Sequence, residues 1–180
     1  MVRYPRRPSP VKQVNAFCEI RLSPIHGRGV FASRRIRKGS RLIEYLGERI
    51  DKEESNRRGL ELFEQSKQTG GASVYIFDLN EDWDLDGDKL YNDARLINHS
   101  CDPNSEMVNE DDRLFLYSLR DILPGEEITF DYGYGIEHFL DHPCRCGAPN
   151  CVGYIVSRSQ WPLLRKKLRR QKGTSLMQKA

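Results

Sequence analysis

No apolar run in this sequence approaches the roughly 20 residues that a helix needs to cross a bilayer, so a helical membrane span is excluded. The N-terminal stretch MVRYPRRPSPVKQ is basic and proline-rich, but no apolar core follows it. It therefore does not read as a secretory signal. A paired set of cysteines is missing too. There are five, Cys18, Cys101, Cys144, Cys146 and Cys151, and an odd count without an export signal argues against a disulfide framework. The expectation is a chain of the cytosol or nucleus with no membrane contact.

Acidic residues are absent from both ends. Residues 1–13 carry four basic side chains (Arg3, Arg6, Arg7, Lys12), and residues 156–180 carry eight, with no acid in either stretch. The residues between hold 17 basic against 26 acidic side chains, so the formal net charge of +3 hides an acidic middle. Such a body attracts a cationic partner, while basic ends suit polyanions. At 180 residues, without an internal repeat, there is room for one domain around one core.

The hydrophobic pattern is one of short strands. Phe17–Arg21, Val30–Ser33, Arg41–Leu46, Val74–Leu79, Leu114–Tyr117 and Glu127–Tyr132 read as extended, with β-branched and aromatic residues between turn signals. Residues 51–67 read as a helix with Asp51 as its N-cap, weakened at Gly59 and ended by Gly70-Gly71. The acidic stretch Asn80–Asp88 reads as a hairpin or loop, with Asp86-Gly87 as its turn. Residues 160–170 read as a basic terminal helix. Many short strands and little helix indicate a mostly β fold built from small sheets.

Three cysteines lie within eight residues, Cys144-Arg-Cys-Gly-Ala-Pro-Asn-Cys151, and three thiolates at this spacing point to a metal. Four further segments precede them in order. These are His26-Gly-Arg-Gly-Val-Phe31, Glu44-Tyr-Leu-Gly-Glu48, Arg95-Leu-Ile-Asn-His-Ser-Cys-Asp-Pro-Asn104 and Gly125-Glu-Glu-Ile-Thr-Phe-Asp-Tyr-Gly-Tyr134. Each string is weak alone, but five in register over residues 15–155 are specific.

Together they resemble the SET-domain protein lysine methyltransferases with a C-terminal post-SET zinc motif. The compact layout looks most like stand-alone bacterial members, and nuclear histone-lysine methyltransferases share the same motifs. The resemblance implies a β-clip (SET) fold: small curved sheets around a pseudoknot, one short inserted helix and a C-terminal zinc-binding loop. In it the segment around Asn98–Cys101 passes beneath that around Asp131-Tyr132. Residues 1–14 read as a flexible basic arm from their prolines and the little they have to bury, and the resemblance makes 15–138 the SET domain, with an insert at about 51–73. Residues 139–157 are the post-SET zinc-binding segment, and 158–180 a basic, helical tail.

The resemblance also implies S-adenosylmethionine as cofactor and a lysine side chain as methyl acceptor. Tyr132 is the catalytic tyrosine, with Tyr45 across the same channel. Tyr134, Phe130 and Met107 line the substrate channel. Arg28, Gly29, Tyr75, Arg95, Asn98, His99 and Tyr132 bind the cofactor. Phenylalanine at 130, two residues before the catalytic tyrosine, leans toward di- or trimethylation. Asp131 anchors the knot by hydrogen bonds rather than acting as a base. A structural Zn²⁺ wants four ligands. The resemblance supplies Cys101 beside Cys144, Cys146 and Cys151, with His142 as the alternative fourth, while Cys18 reads as a small core residue.

The expected substrate is a histone or other basic DNA-associated protein, with auxiliary nucleic-acid contact through the basic ends. The expected location is cytoplasmic for a bacterial protein, and nuclear or chromosomal for a eukaryotic one or one acting on host chromatin. Two other readings stand beside the enzyme. One is a catalytically idle, zinc-stapled interaction module; the other is a chromatin- or nucleoid-binding protein acting through its ends.

Overall fold

A computed structural model describes residues 17–69 and 75–177. The expected arm at 1–14, the helix stop at Gly70-Gly71 and the last three residues of the tail lie outside the described residues.

The strands are short because turn residues interrupt every apolar run. β1 (Cys18–Leu22) and β2 (Arg28–Ala32) form an antiparallel pair, Cys18 opposite Ala32 and Leu22 opposite Arg28. β3 (Arg41–Tyr45), β9 (Arg113–Ser118) and β8 (Ser105–Glu110) make a three-stranded antiparallel sheet with β9 in the centre. Leu114, Phe115 and Leu116 are consecutively buried on that central strand, as expected for one covered on both faces.

A second three-stranded sheet orders β4 (Glu48–Asp51), β6 (Trp83–Asp86) and β5 (Ile76–Asp78). Sequence patterning missed β4 and read the stretch that holds β6 as a hairpin or loop; the antiparallel β5–β6 pair is that hairpin. The hairpin turn lies at the start of β6, where Asn80 Oδ1 accepts the N–H groups of Asp82 and Trp83, and Asp86 ends the strand, its carboxylate accepting the Asp88 N–H at 3.1 Å in the turn through Gly87. Acidic side chains disguise this strand; Asp84 and Asp86 are buried but paired with Lys52 and Arg58.

Helix α1 (Lys52–Thr69) begins where expected, since the Asp51 carboxylate accepts the Glu54 N–H at 2.8 Å. Glu54 completes no capping box with its side chain. It binds Arg57 and Arg58 along the helix instead.

Two very short strands decide the topology. β7 (Asn98–His99) runs parallel to β10 (Thr129–Phe130), with Asn98 opposite Thr129 and His99 opposite Phe130. Asn104 fastens the crossing: its Nδ2 donates to the Glu127 carbonyl at 2.8 Å and its Oδ1 accepts the Thr129 N–H at 2.9 Å. Stretches about thirty residues apart are thus laid side by side.

The main core lies between these sheets, with Val30, Ala32, Leu42, Ile97, Leu116, Ile122 and Ile128 at its centre. A smaller cluster of Ile136, Phe139, Val156 and Leu164 seats the C-terminal segment and helix α2 (Trp161–Met177). Cys18 packs at the edge of the main core, as a small apolar residue does.

Candidate active site and metal centre

A cavity of about 510 Å³ opens where the β7–β10 crossing meets the sheet edges, within the size range of small-molecule sites. One side of its wall comes from His26, Gly27 and Arg28 and from the stretch Ala94 to Asn98, where main-chain carbonyls of His26, Arg28 and Ile97 take hydrogen bonds from the Asn98 and Tyr132 side chains. The remainder is largely aromatic: Tyr45, Tyr75, Phe77, Phe130, Tyr132 and Tyr134.

The main-chain side is held by one amide. Asn98 Nδ2 donates to the carbonyls of His26 and Arg28, both at 3.2 Å, and to Glu127 Oε1 at 2.7 Å. The Ser23 hydroxyl completes the Glu127 carboxylate's bonding at 2.8 and 2.9 Å. Gly29 leaves room for this carboxylate, because a Cβ there would sit 2.9 Å from Glu127 Cδ and closer still to Oε1. Gly29 itself does not line the cavity; its place is behind the wall formed by Arg28.

The aromatic side is a connected set of rings. Tyr45 and Phe77 have centroids 4.6 Å apart, Phe77 and Phe130 6.0 Å, Phe130 and Tyr132 5.0 Å, and Tyr132 and Tyr134 5.6 Å. These are ordinary packing distances for aromatic pairs. Tyr45 is buried, and its hydroxyl donates to the Tyr75 carbonyl at 3.0 Å. Gly87 lies against the Tyr45 ring so closely that any side chain there would overlap it. Buried Asn92 fixes this turn by donating to the Gly87 carbonyl and accepting the Leu46 N–H.

Tyr132 joins the two sides. Its hydroxyl donates to the Ile97 carbonyl at 3.0 Å, and its N–H donates to His99 Nδ1 at 3.2 Å. Burial raises the hydroxyls of both Tyr45 and Tyr132 above the ordinary tyrosine value, and neighbouring tyrosines push the same way. Both stay protonated at any working pH. The Asp131 carboxylate accepts the N–H groups of Gly133 and Arg158, each at 3.0 Å, which fits an anchor rather than a base.

Of the residues singled out from sequence, Arg28, Tyr45, Tyr75, Arg95, Asn98, Phe130, Tyr132 and Tyr134 line this cavity. Arg95 reaches its wall with Nη1 4.0 Å from Asp88. His99 lies behind it, buried between Tyr132 and Cys101. Met107 lies elsewhere: on β8 it pairs with Leu116 and packs on the main core. Gly87, Asn92 and Glu127 were not assigned to the site from sequence. Their contributions are a missing side chain and hydrogen bonds to distant residues, which leave no local pattern.

Cys101, Cys144, Cys146 and Cys151 converge, their sulfurs all within 4.8 Å of one another. Cys101 Sγ is 3.8 Å from Cys144 Sγ and 3.7 Å from Cys151 Sγ. Tetrahedral zinc with Zn–S bonds of ~2.3 Å requires sulfurs about 3.8 Å apart. The donor set therefore fits that ion. Main-chain donors already face the sulfurs, with the Cys101 N–H on Cys146 and the Gly153 N–H on Cys151, both at 3.4 Å. Burial works to raise the Cys146 thiol, but amide donors from Cys101 and Ala148 outweigh it and bring it down to about 7. His142 is not in the cluster. Its ring packs edge-on against Tyr134 with centroids 5.0 Å apart.

Comparison with known proteins gives this geometry a context. The SET domain family matches residues 27–133. The histone-lysine N-methyltransferase trr of Drosophila melanogaster is 40% identical over 136 residues, covering 72% of this chain and 5% of the relative. The H3 lysine-4 specific histone-lysine N-methyltransferase of Schizosaccharomyces pombe is 39% identical over 137 residues, covering 74% of this chain and 14% of the relative. A variant-silencing SET domain-containing protein of Plasmodium falciparum is 40% identical over 141 residues, covering 76% and 6%. All three relatives are eukaryotic, and the matched stretch spans only 5–14% of their length.

Proposed function

The chain belongs to the SET-domain family, and on that premise we propose that it is a protein-lysine methyltransferase using S-adenosylmethionine. The observation that carries the reading is the position of Tyr132, bonded through its hydroxyl to the main-chain wall and packed by its ring into the aromatic one.

When bound, S-adenosylmethionine supplies a methyl group on a cationic sulfur. The main-chain wall at 26–28 and 94–98 offers polar groups at close range to hold such a molecule, with Arg95 and Tyr75 beside it. The aromatic walls take the aliphatic stem of a lysine. A free lysine amine has a pKa of ~10.4 and attacks only when neutral. Desolvation between Tyr45, Phe130 and Tyr134 disfavours its charged form. The Tyr132 hydroxyl has its proton committed to Ile97, so its oxygen is free to accept from the amine and align it. Alignment of this kind is worth roughly 7–11 kcal/mol in favourable cases.

Phe130 puts no hydroxyl into the channel, and by family resemblance this favours di- or trimethylation. The cysteine cluster is assigned as structural zinc. It would hold the 144–151 loop against Cys101, two residues after His99. The substrate proposed is a histone-like basic tail, which matches the acidic middle of the chain and the histone-lysine N-methyltransferases among its relatives. Action on histones makes the nucleus its place of work.

The test is methyl transfer from labelled cofactor to histones, with products resolved by mass spectrometry. Wild type is expected to label lysine with two or three methyl groups. Tyr132→Phe is expected to lose activity by roughly a hundredfold or more, and Phe130→Tyr to shift the product toward monomethyl-lysine. Undiminished transfer by Tyr132→Phe overturns the assignment.

A further inference from the structure

Helix α2 lies outside the matched family region and takes no part in the cavity. Its inward face is apolar: Leu164 is fully buried, Trp161 nearly so, and Leu168 packs beside them on the smaller core. Its outward face is basic. Arg165 and Arg169 form one i, i+4 row, and Lys166 and Arg170 form the adjacent one. All four are exposed. Residues 156–180 contain no acidic side chain. Like charges at this spacing disfavour a helix in isolation, and here the buried face keeps it formed.

The helix is also fastened close to the cavity. The Ser157 N–H donates to the Tyr134 carbonyl at 2.8 Å, and the Arg158 N–H to Asp131 Oδ2 at 3.0 Å. Trp161 Nε1 then donates to the Val156 carbonyl at 3.1 Å, setting the first turn of the helix. The basic face is thus anchored through residues on either side of Tyr132.

We propose that the outward face of α2 is a docking surface for the phosphate backbone of duplex DNA, placed so that a DNA-bound protein substrate is presented to the cavity. A rigid two-row cationic face is complementary to the regular charge of a duplex. It carries no aromatic residue on that side for stacking bases, so duplex rather than single-stranded nucleic acid is the occupant.

The test is binding of a short mixed-sequence DNA duplex to the full chain, measured by fluorescence anisotropy between about 50 and 200 mM salt. Four phosphate contacts predict a log–log salt slope near −3.6, at about −0.9 per contact. Lys166→Glu with Arg169→Glu is expected to weaken binding at least tenfold and flatten the slope by about two contacts' worth. The charge-preserving pair Lys166→Arg with Arg169→Lys is expected to bind as wild type does. Unchanged duplex binding by the charge-reversed variant overturns the proposal. So does tighter binding to anionic phosphatidylserine vesicles, or to single-stranded DNA, than to duplex. Circular dichroism confirms that both variants keep α2, and the readout does not depend on methyl transfer.

Discussion

His99 and Tyr132 meet across the chain crossing: the imidazole Nδ1 accepts the Tyr132 N–H at 3.2 Å, and the rings pack edge-on with centroids 5.4 Å apart. The other ring nitrogen, Nε2, lies 3.7 Å from Cys101 Sγ. One buried side chain therefore touches both the cavity tyrosine and the cysteine cluster. Replacing it with alanine leaves the Tyr132 N–H without its acceptor, a loss of about 1–3 kcal/mol. His99→Ala is expected to lower kcat by one to two orders of magnitude, as measured by steady-state transfer to a histone peptide.

Two glycines give opposite expectations. At Gly87 a methyl group would overlap the Tyr45 ring, so Gly87→Ala should displace Tyr45 and lower methyl transfer at least tenfold. At Gly59, inside α1, a Cβ meets nothing within 4 Å. Gly59→Ala should raise stability by about 0.5–1 kcal/mol, as read by urea unfolding.

Acid sensitivity follows from the network under α1. Burial by itself raises the Asp86 carboxyl, but the Asp88 N–H, Arg58 and Lys89 outweigh it and hold Asp86 below its ordinary value of 3.8. The folded state then binds fewer protons than the unfolded state. This contribution is fully present above the ordinary carboxylate value and is lost as pH falls through the depressed one. Arg58→Ala should destabilise the protein by about 1–3 kcal/mol at neutral pH. Urea unfolding at pH 7 and at pH 3 should show a smaller gap between variant and wild type in acid.

Metal removal tests the cysteine cluster. About one zinc per chain is expected by elemental analysis, reduced in Cys146→Ser, with transfer activity falling in parallel. Chelation should raise hydrogen exchange at residues 143–154, where the Pro143–Tyr154 bridge closes the loop, and leave the β3–β9–β8 sheet unchanged. Full activity without metal contradicts a role for zinc in holding this segment.

The strands rich in valine, isoleucine and aromatics were legible in the sequence, as was α1 from Asp51 onward, because local pattern and burial agree there. β6 read only as part of a hairpin or loop, since Leu85 alone brings it into the main core and the flanking Asp84 and Asp86 are paired with Lys52 and Arg58 from α1. Tyr45, Tyr132 and the four cysteines, which the structure brings to one cavity and one cluster, were singled out through motif order. No spacing rule joins Cys101 to a loop 43 residues later. Gly87 and Asn92 escaped notice because their work is to make space for, and hold, a ring some forty residues away. Met107, expected in the channel, does not itself line the cavity; on β8 it packs against the core cluster that includes the cavity residues Tyr45 and Phe130.

A crystal structure with S-adenosylhomocysteine and a lysine-bearing histone peptide tests the central claim most directly. The account predicts the nucleoside product against the 26–28 and 94–98 backbone. It predicts the lysine stem among Tyr45, Phe130 and Tyr134, with its nitrogen within hydrogen-bond reach of the Tyr132 hydroxyl. A cofactor product bound away from Asn98, or a lysine that does not reach Tyr132, would contradict it.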